Sequence, residues 1–402
     1  MPARAHLLLR LLLVWACGAL VACGVSPTSA VPTLSPLVAT FTPRQSAWGT
    51  VDVIAQTQQT GAPALSISND GVYALWAGAD ANEARHIMQT PRIPAQILAL
   101  RAYYPYQQAL YPTESDWLML WLDRTVETRT PRLLTARVNR QAVAELDVIA
   151  VSDVPTRWYS AVRVDDTLYT VWSGQVQATT RLYWQAIDQQ GRPLARHDLR
   201  RTGDYPALLR ADDRWYLYWL ENRRIYRAQV VDNALTDIAP LARLPLAPDD
   251  IVDAVTVAAT GEHHYLFWSI QAGDGTHRSL LSIDGARPQA WGIASDDGTT
   301  VTTGWQAGTV TRATRTAGGV QWAVPLAGQH EVLPVAIMDD AQLGVAYFRA
   351  GTLLGYQRLI DPLRAPIGAP ALYADRNLNL FLTWAEPTTE RFATLYLTTT
   401  TR

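Results

Sequence analysis

The chain has 402 residues and a formal net charge of −2, and its 34 basic residues are all arginine. These charges are dispersed rather than clustered, which argues against a nucleic-acid-binding face. A chain of this length can bury enough apolar surface to hold a fold without disulfide staples.

Residues 1–22 carry Arg4 and Arg10, then an apolar stretch from Leu11 to Ala22 with small residues at its end, the layout of an export signal. The stretch falls short of the roughly 20 apolar residues of a membrane span. It closes on Leu20-Val21-Ala22-Cys23-Gly24, which resembles the lipobox of bacterial lipoproteins. The resemblance implies acylation of Cys23, cleavage just before it, and a domain lipid-anchored to the cell envelope on its extracytoplasmic side; a freely secreted domain is the alternative. The residue after the cysteine is Gly24 rather than aspartate, so which membrane holds the anchor stays open. Cys17 lies in the segment to be removed, leaving no disulfide in the mature chain.

Residues 23–43 place Pro27, Pro32, Pro36 and Pro43 among serine, threonine and small side chains. Such a stretch buries no core and prefers extended backbone, so it reads as a tether, with a single domain over 44–402.

Within 44–402 one short phrase returns eight times: an acidic or glycine-containing turn, alternating apolar residues, and a closing aromatic. The aromatics are Trp76, Trp121, Trp172, Trp219, Trp268, Trp305, Phe348 and Trp384. Each is followed by a loop and another short run of period two, as at 181–187 and 224–230. Four short antiparallel strands in about 45 residues, repeated, predict an all-β fold, a β-propeller. Eight copies predict eight blades; Trp305 follows Trp268 by only 37 residues, which leaves seven as the alternative. A spare strand at 49–56 is expected to become the outermost strand of the last blade, closing the ring and covering a free edge. The aromatics are expected to pack between blades. Doublets such as Asp165-Asp166 and Asp212-Asp213 are expected to make hairpin turns, which aspartate favours by bonding its own backbone, rather than calcium sites.

The stretches 165–174 and 212–232, with DQQGRPL from Asp188, resemble blades of the bacterial sialidase-like propellers. Pro91-Arg92-Ile93-Pro94 matches the core of their Arg-Ile-Pro signature, although it follows the first repeat instead of preceding it; neither 66–76 nor 295–305 keeps the Asp-box spacing. The resemblance implies a catalytic role for Arg92, facing a substrate carboxylate, in an exo-glycosidase of sialidase type. No metal-binding spacing, phosphate loop or nucleophile elbow occurs, and no metal or other cofactor is expected.

In a propeller the loops entering the innermost strands gather on one face with those joining second to third strands. This places Tyr104, Tyr106, Trp158, Tyr159, Asp204, Tyr205, Asp249 and Asp250 as candidate ligand-binding residues, with His330-Glu331 on the same face. Aromatic and charged groups on one concave face suit a glycan or peptide. The leading expectation is a binding or scaffold module for a glycan, peptide or envelope protein, and the glycosidase is the alternative.

Overall fold

A computed structural model describes residues 45–46, 48–58, 62–68, 71–77, 84–88, 96–98, 106–113, 116–124, 130–139, 147–290, 305–306, 309–310, 322–338, 343–360, 368–375, 379–389 and 392–400. All belong to the unit Pro43–Arg402. The architecture is an all-β propeller of four-stranded antiparallel blades.

The sheet of 156–202 shows how the sequence builds a blade. Thr156–Val164, Thr167–Val176, Thr179–Ile187 and Pro193–Thr202 pair in chain order. Successive side chains of a strand point to opposite faces. Val171 therefore joins the core shared with Leu217 and Trp219 of the next sheet, whereas Trp172 joins the core shared with Leu118 and Leu120 of the preceding one. A strand covered on both faces must be apolar throughout its middle, while Pro193–Thr202 at the outer edge is largely exposed. First strands of neighbouring sheets pack on one another and so form the inner wall.

The acidic doublets at 165–166 and 212–213 are turns. Asp212 and Asp213 both have positive φ and link the paired residues Ala211 and Arg214. Asn222-Arg223 and Asp232-Asn233 repeat that two-residue hairpin geometry in the same sheet. The repeated aromatics Trp76, Trp121, Trp172, Trp219, Trp268, Phe348 and Trp384 are buried to 1% exposure or less. Three of them stack across strands on a tyrosine: Trp172 on Tyr183, Trp219 on Tyr226 and Trp384 on Tyr396.

The expected count of eight four-stranded blades, or seven, is not met: among the described residues six sheets have four strands. A further sheet has five, because Gly328–Gln329 adds a parallel strand to Ile251–Thr260. The sixth copy of the phrase is described only at Trp305–Gln306, paired with Thr309–Val310. Its acidic turn lies outside the described residues.

The phrase is also displaced by one strand in the sheet of 322–360. Leu333–Met338 was expected to be the innermost strand, but Trp322–Pro325 precedes it at the edge of the sheet. The hairpin after Leu343–Arg349 lies beside the first hairpin of the 251–290 sheet, with Ala350 N donating to Thr260 Oγ1 and Gly351 N to the Tyr265 hydroxyl. Phe348 thus closes a third strand, and His330-Glu331 sits in a connection at the opposite end from the expected face. There His330 N donates to Ala259 O, and Gln329 binds Asp212 through the Asp212 backbone N–H and through Oδ1.

The spare N-terminal strand is Asp52–Gln58. It pairs antiparallel with Phe392–Thr399 and forms the edge of the sheet that contains Leu380–Pro387 and Ala371–Ala374. Trp48 and Val51, just ahead of it, are buried with Trp322 and Trp384.

Candidate functional site

Four consecutive sheets carry a β-bulge near the start of the first strand. In Tyr106–Pro112, Gln107 and Gln108 together oppose Trp121; in Thr156–Val164, Arg157 is the extra residue. In Asp204–Ala211, Tyr205 and Pro206 oppose Trp219; in Ile251–Thr260, Asp253 is extra. A bulge re-aims side chains and leaves the inserted residue outside the ladder, which is why bulges recur beside binding sites. Gln107 and Tyr205 also adopt positive φ, a conformation costly for non-glycine residues.

The bulges bring side chains of neighbouring sheets together. Arg157 Nη1 lies 3.0 Å from Asp204 Oδ2. Asp204 Oδ1 accepts from Ser173 Oγ at 2.7 Å and from Tyr205 N at 2.9 Å, so the carboxylate is held on both oxygens. The rings of Trp158 and Tyr205 meet at 5.7 Å between centroids, tilted by 52°, both half-buried against the core beneath. Burial, reinforced by Asp204, raises the Tyr205 phenol above its ordinary pKa, while Arg157 opposes the rise. The phenol stays protonated at neutral pH and keeps a donor.

In the next sheet Asp253 Oδ2 approaches His277 Nδ1 at 3.0 Å, without the alignment of a hydrogen bond. Burial raises the Asp253 carboxyl and His277 opposes that shift. The His277 ring stacks on Trp322 at 4.5 Å. Asp250 accepts from Arg278 Nη2 at 2.5 Å and from Ala247 N at 2.8 Å; Asp249 is exposed, packed where a side chain at Gly273 would clash with its Cβ. Gln107 Oε1, Gln108 Nε2 and Arg278 Nε are buried without a hydrogen-bond partner. Among the described residues no three His, Cys, Asp or Glu side chains are placed to hold a metal.

Of the residues singled out in the sequence, Trp158, Asp204 and Tyr205 come together, with Asp249 and Asp250 on the loop entering the next sheet. Tyr159 points the other way: it is buried, and its hydroxyl donates to Gln107 O and Leu120 O, tying two sheets together. Tyr106 opens its strand, with only its backbone described, and Cys23, Arg92 and Tyr104 lie outside the described residues. Sequence reasoning missed Gln107, Gln108, Asp253 and His277. Gln107, Gln108 and Asp253 sit at bulges, which insert a residue without any compositional mark; a break in the period-two alternation was the only available signal.

No family model and no curated protein matches the sequence. Similar solved structures include a PL25 ulvan lyase bound to GlcA(1-4)Rha3S, 9% identical with a TM-score of 0.53, covering 86% of this chain and 95% of that one. Polysaccharide lyase Uly1 is 8% identical with a TM-score of 0.52, over 84% of this chain and 89% of that one. A subtype N10 neuraminidase-like protein is 9% identical with a TM-score of 0.41, over 74% and 95%. At such identities the likeness is one of fold: this chain has a propeller similar to those of glycan-active enzymes.

Proposed function

We propose that this chain is a lipoprotein, anchored through Cys23 to the cell envelope, whose propeller binds a glycan where the bulged first strands meet. The observation that carries the reading is the Trp158–Tyr205 ring pair beside the fixed Arg157–Asp204 pair. Aromatic rings offer a flat apolar surface to the C–H face of a sugar, and fixed polar groups around them set its orientation. The polysaccharide lyases of similar fold, by their names, act on polysaccharides, which supports a glycan over a peptide.

The test is a broad glycan array probed with the full chain in detergent micelles, reading both retained protein and released sugar. Retention without release is expected, and Trp158→Ala should weaken it at least tenfold, about 1.4 kcal/mol, in a chain that circular dichroism shows still folded. Release of a terminal acidic sugar, lost on Arg92→Ala, would replace this reading with the sialidase-type glycosidase. A folded protein retained by no glycan would overturn it.

A further inference from the structure

We infer that the ligand is a run of several sugars rather than a single terminal one, laid across three sheets so that Asp253 and His277 form a second subsite beyond the Trp158–Tyr205 pair. This rests on the glycan-binding reading above and names the form of glycan that the site takes.

The two groups of residues stand at one end of the fold. Trp158 and Tyr205 lie near the starts of the first strands Thr156–Val164 and Asp204–Ala211, and Asp253 is the extra residue near the start of the next first strand, Ile251–Thr260. His277 opens the third strand of that same sheet; it pairs with Gln271, which pairs in turn with Ile251, so it stands level with the start of the first strand. Trp322, on which the His277 ring stacks, opens the strand Trp322–Pro325 of the following sheet. The groups are also adjacent. Strands Asp204–Ala211 and Ile251–Thr260 pack on one another, and Val252 belongs to the buried cluster on which the Trp158 and Tyr205 rings rest. The charge of Asp253 is felt at the Tyr205 phenol, which it helps to keep protonated.

Most charges of this region are engaged within the protein. Asp204 is held by Arg157, Ser173 and Tyr205 N, and Asp250 by Arg278 and Ala247 N. Arg223 donates to Leu246 O and Ala247 O. Asp253 and His277 face only each other: Asp253 Oδ2 and His277 Nδ1 are buried without a hydrogen bond, yet 28% of each side chain stays exposed. That exposure falls on the other atoms of each group, where a carboxyl oxygen accepts from a sugar hydroxyl and an imidazole nitrogen donates or accepts. Trp322, itself buried, backs the imidazole at 4.5 Å and 29° and so holds its plane. Facing sheets pack about 10 Å apart, so the path from Trp158 through Tyr205 and Asp253 to His277 covers more than one such step. A single pyranose reaches one of the two groups. A chain of sugars reaches both, and the second contact then forms within a complex already made by the first.

The experiment is calorimetric titration of the full chain in detergent micelles with cello-, manno- and galacto-oligosaccharides and oligogalacturonates, together with the glycan best retained on the array, each from one to six sugars. In at least one series affinity should rise at least tenfold from monosaccharide to hexasaccharide. His277→Ala and Asp253→Asn should each flatten that rise at least fivefold, in chains that circular dichroism shows still folded, whereas Trp158→Ala should weaken every length. A monosaccharide that binds as tightly as its hexasaccharide, or a rise with length that both folded variants keep, would overturn this inference while leaving glycan binding intact. No binding in any series would overturn both.

Discussion

Single atoms decide how the inner wall is built. At Gly203, just ahead of Asp204 and Tyr205, an added Cβ would stand 2.4 Å from Trp219 Cδ1, inside a ring that is itself fully buried. Gly203→Ala should therefore destabilise the fold by about 1–3 kcal/mol, the usual cost of overpacking, as a lowered urea midpoint, and should weaken glycan retention by shifting Tyr205. A midpoint within error of the parent would show that Trp219 can yield. His264 gives a pH dependence of known sign. Burial, with Arg227 adding to it, lowers its pKa below 6.5, while its Nδ1 meets the Tyr218 hydroxyl at 2.5 Å. The unfolded chain takes up a proton there from about pH 6.5 downward and the folded chain resists. This contribution to stability is complete above about pH 6.5 and is lost as pH falls through the folded value. Melting temperature should drop more steeply from pH 7 to 5 in the parent than in His264→Gln; parallel profiles would remove His264 from the account. At this scale the buried tryptophans and the aspartate turns were legible, because each repeats in a fixed place in its phrase. The direction of Tyr159 was not, since adjacent strand residues face opposite sides and a bulge changes which faces which.

Strands pair where their edges would otherwise stay open, and that governs the two ends of the chain. Asp52–Gln58 covers Phe392–Thr399, and the Trp48 and Val51 side chains ahead of it are buried beside Trp322 and Trp384. Deleting residues 44–57 should lower the melting temperature of the whole domain by ten degrees or more, since it removes a strand and opens the core beneath; an unchanged transition would mean that the sheet of 371–399 holds without it. The alternation of apolar residues at 49–56 made this strand readable from sequence. The sheet of 322–360 shows the opposite case. Its first strand, Trp322–Pro325, is only four residues long and leads into the connection that carries Gly328–Gln329 instead of an acidic hairpin, so the phrase ending at Phe348 was assigned one strand too far inward. A repeat phrase marks a turn and an aromatic; it does not say which strand of a blade they belong to.

At the scale of the whole molecule, the proposed anchor and the proposed site constrain one another. A site for a polysaccharide gains from holding the domain where that polysaccharide is concentrated. A tether over 23–43, at about 3 Å per residue when extended, would let the mouth sweep some tens of ångströms from the membrane. Replacing Cys23 with serine should then move the chain from the membrane fraction to the soluble fraction while leaving glycan affinity in calorimetry unchanged, because Cys23 is not among the residues proposed to bind sugar. The same replacement should reduce retention of the polysaccharide on whole cells by more than a substitution at Trp158, since it removes every site from the surface at once. A Cys23→Ser chain that stays membrane-bound would mean that the N-terminal segment holds by another route, and the placement of the domain at the envelope would have to be argued from that segment's apolar stretch instead.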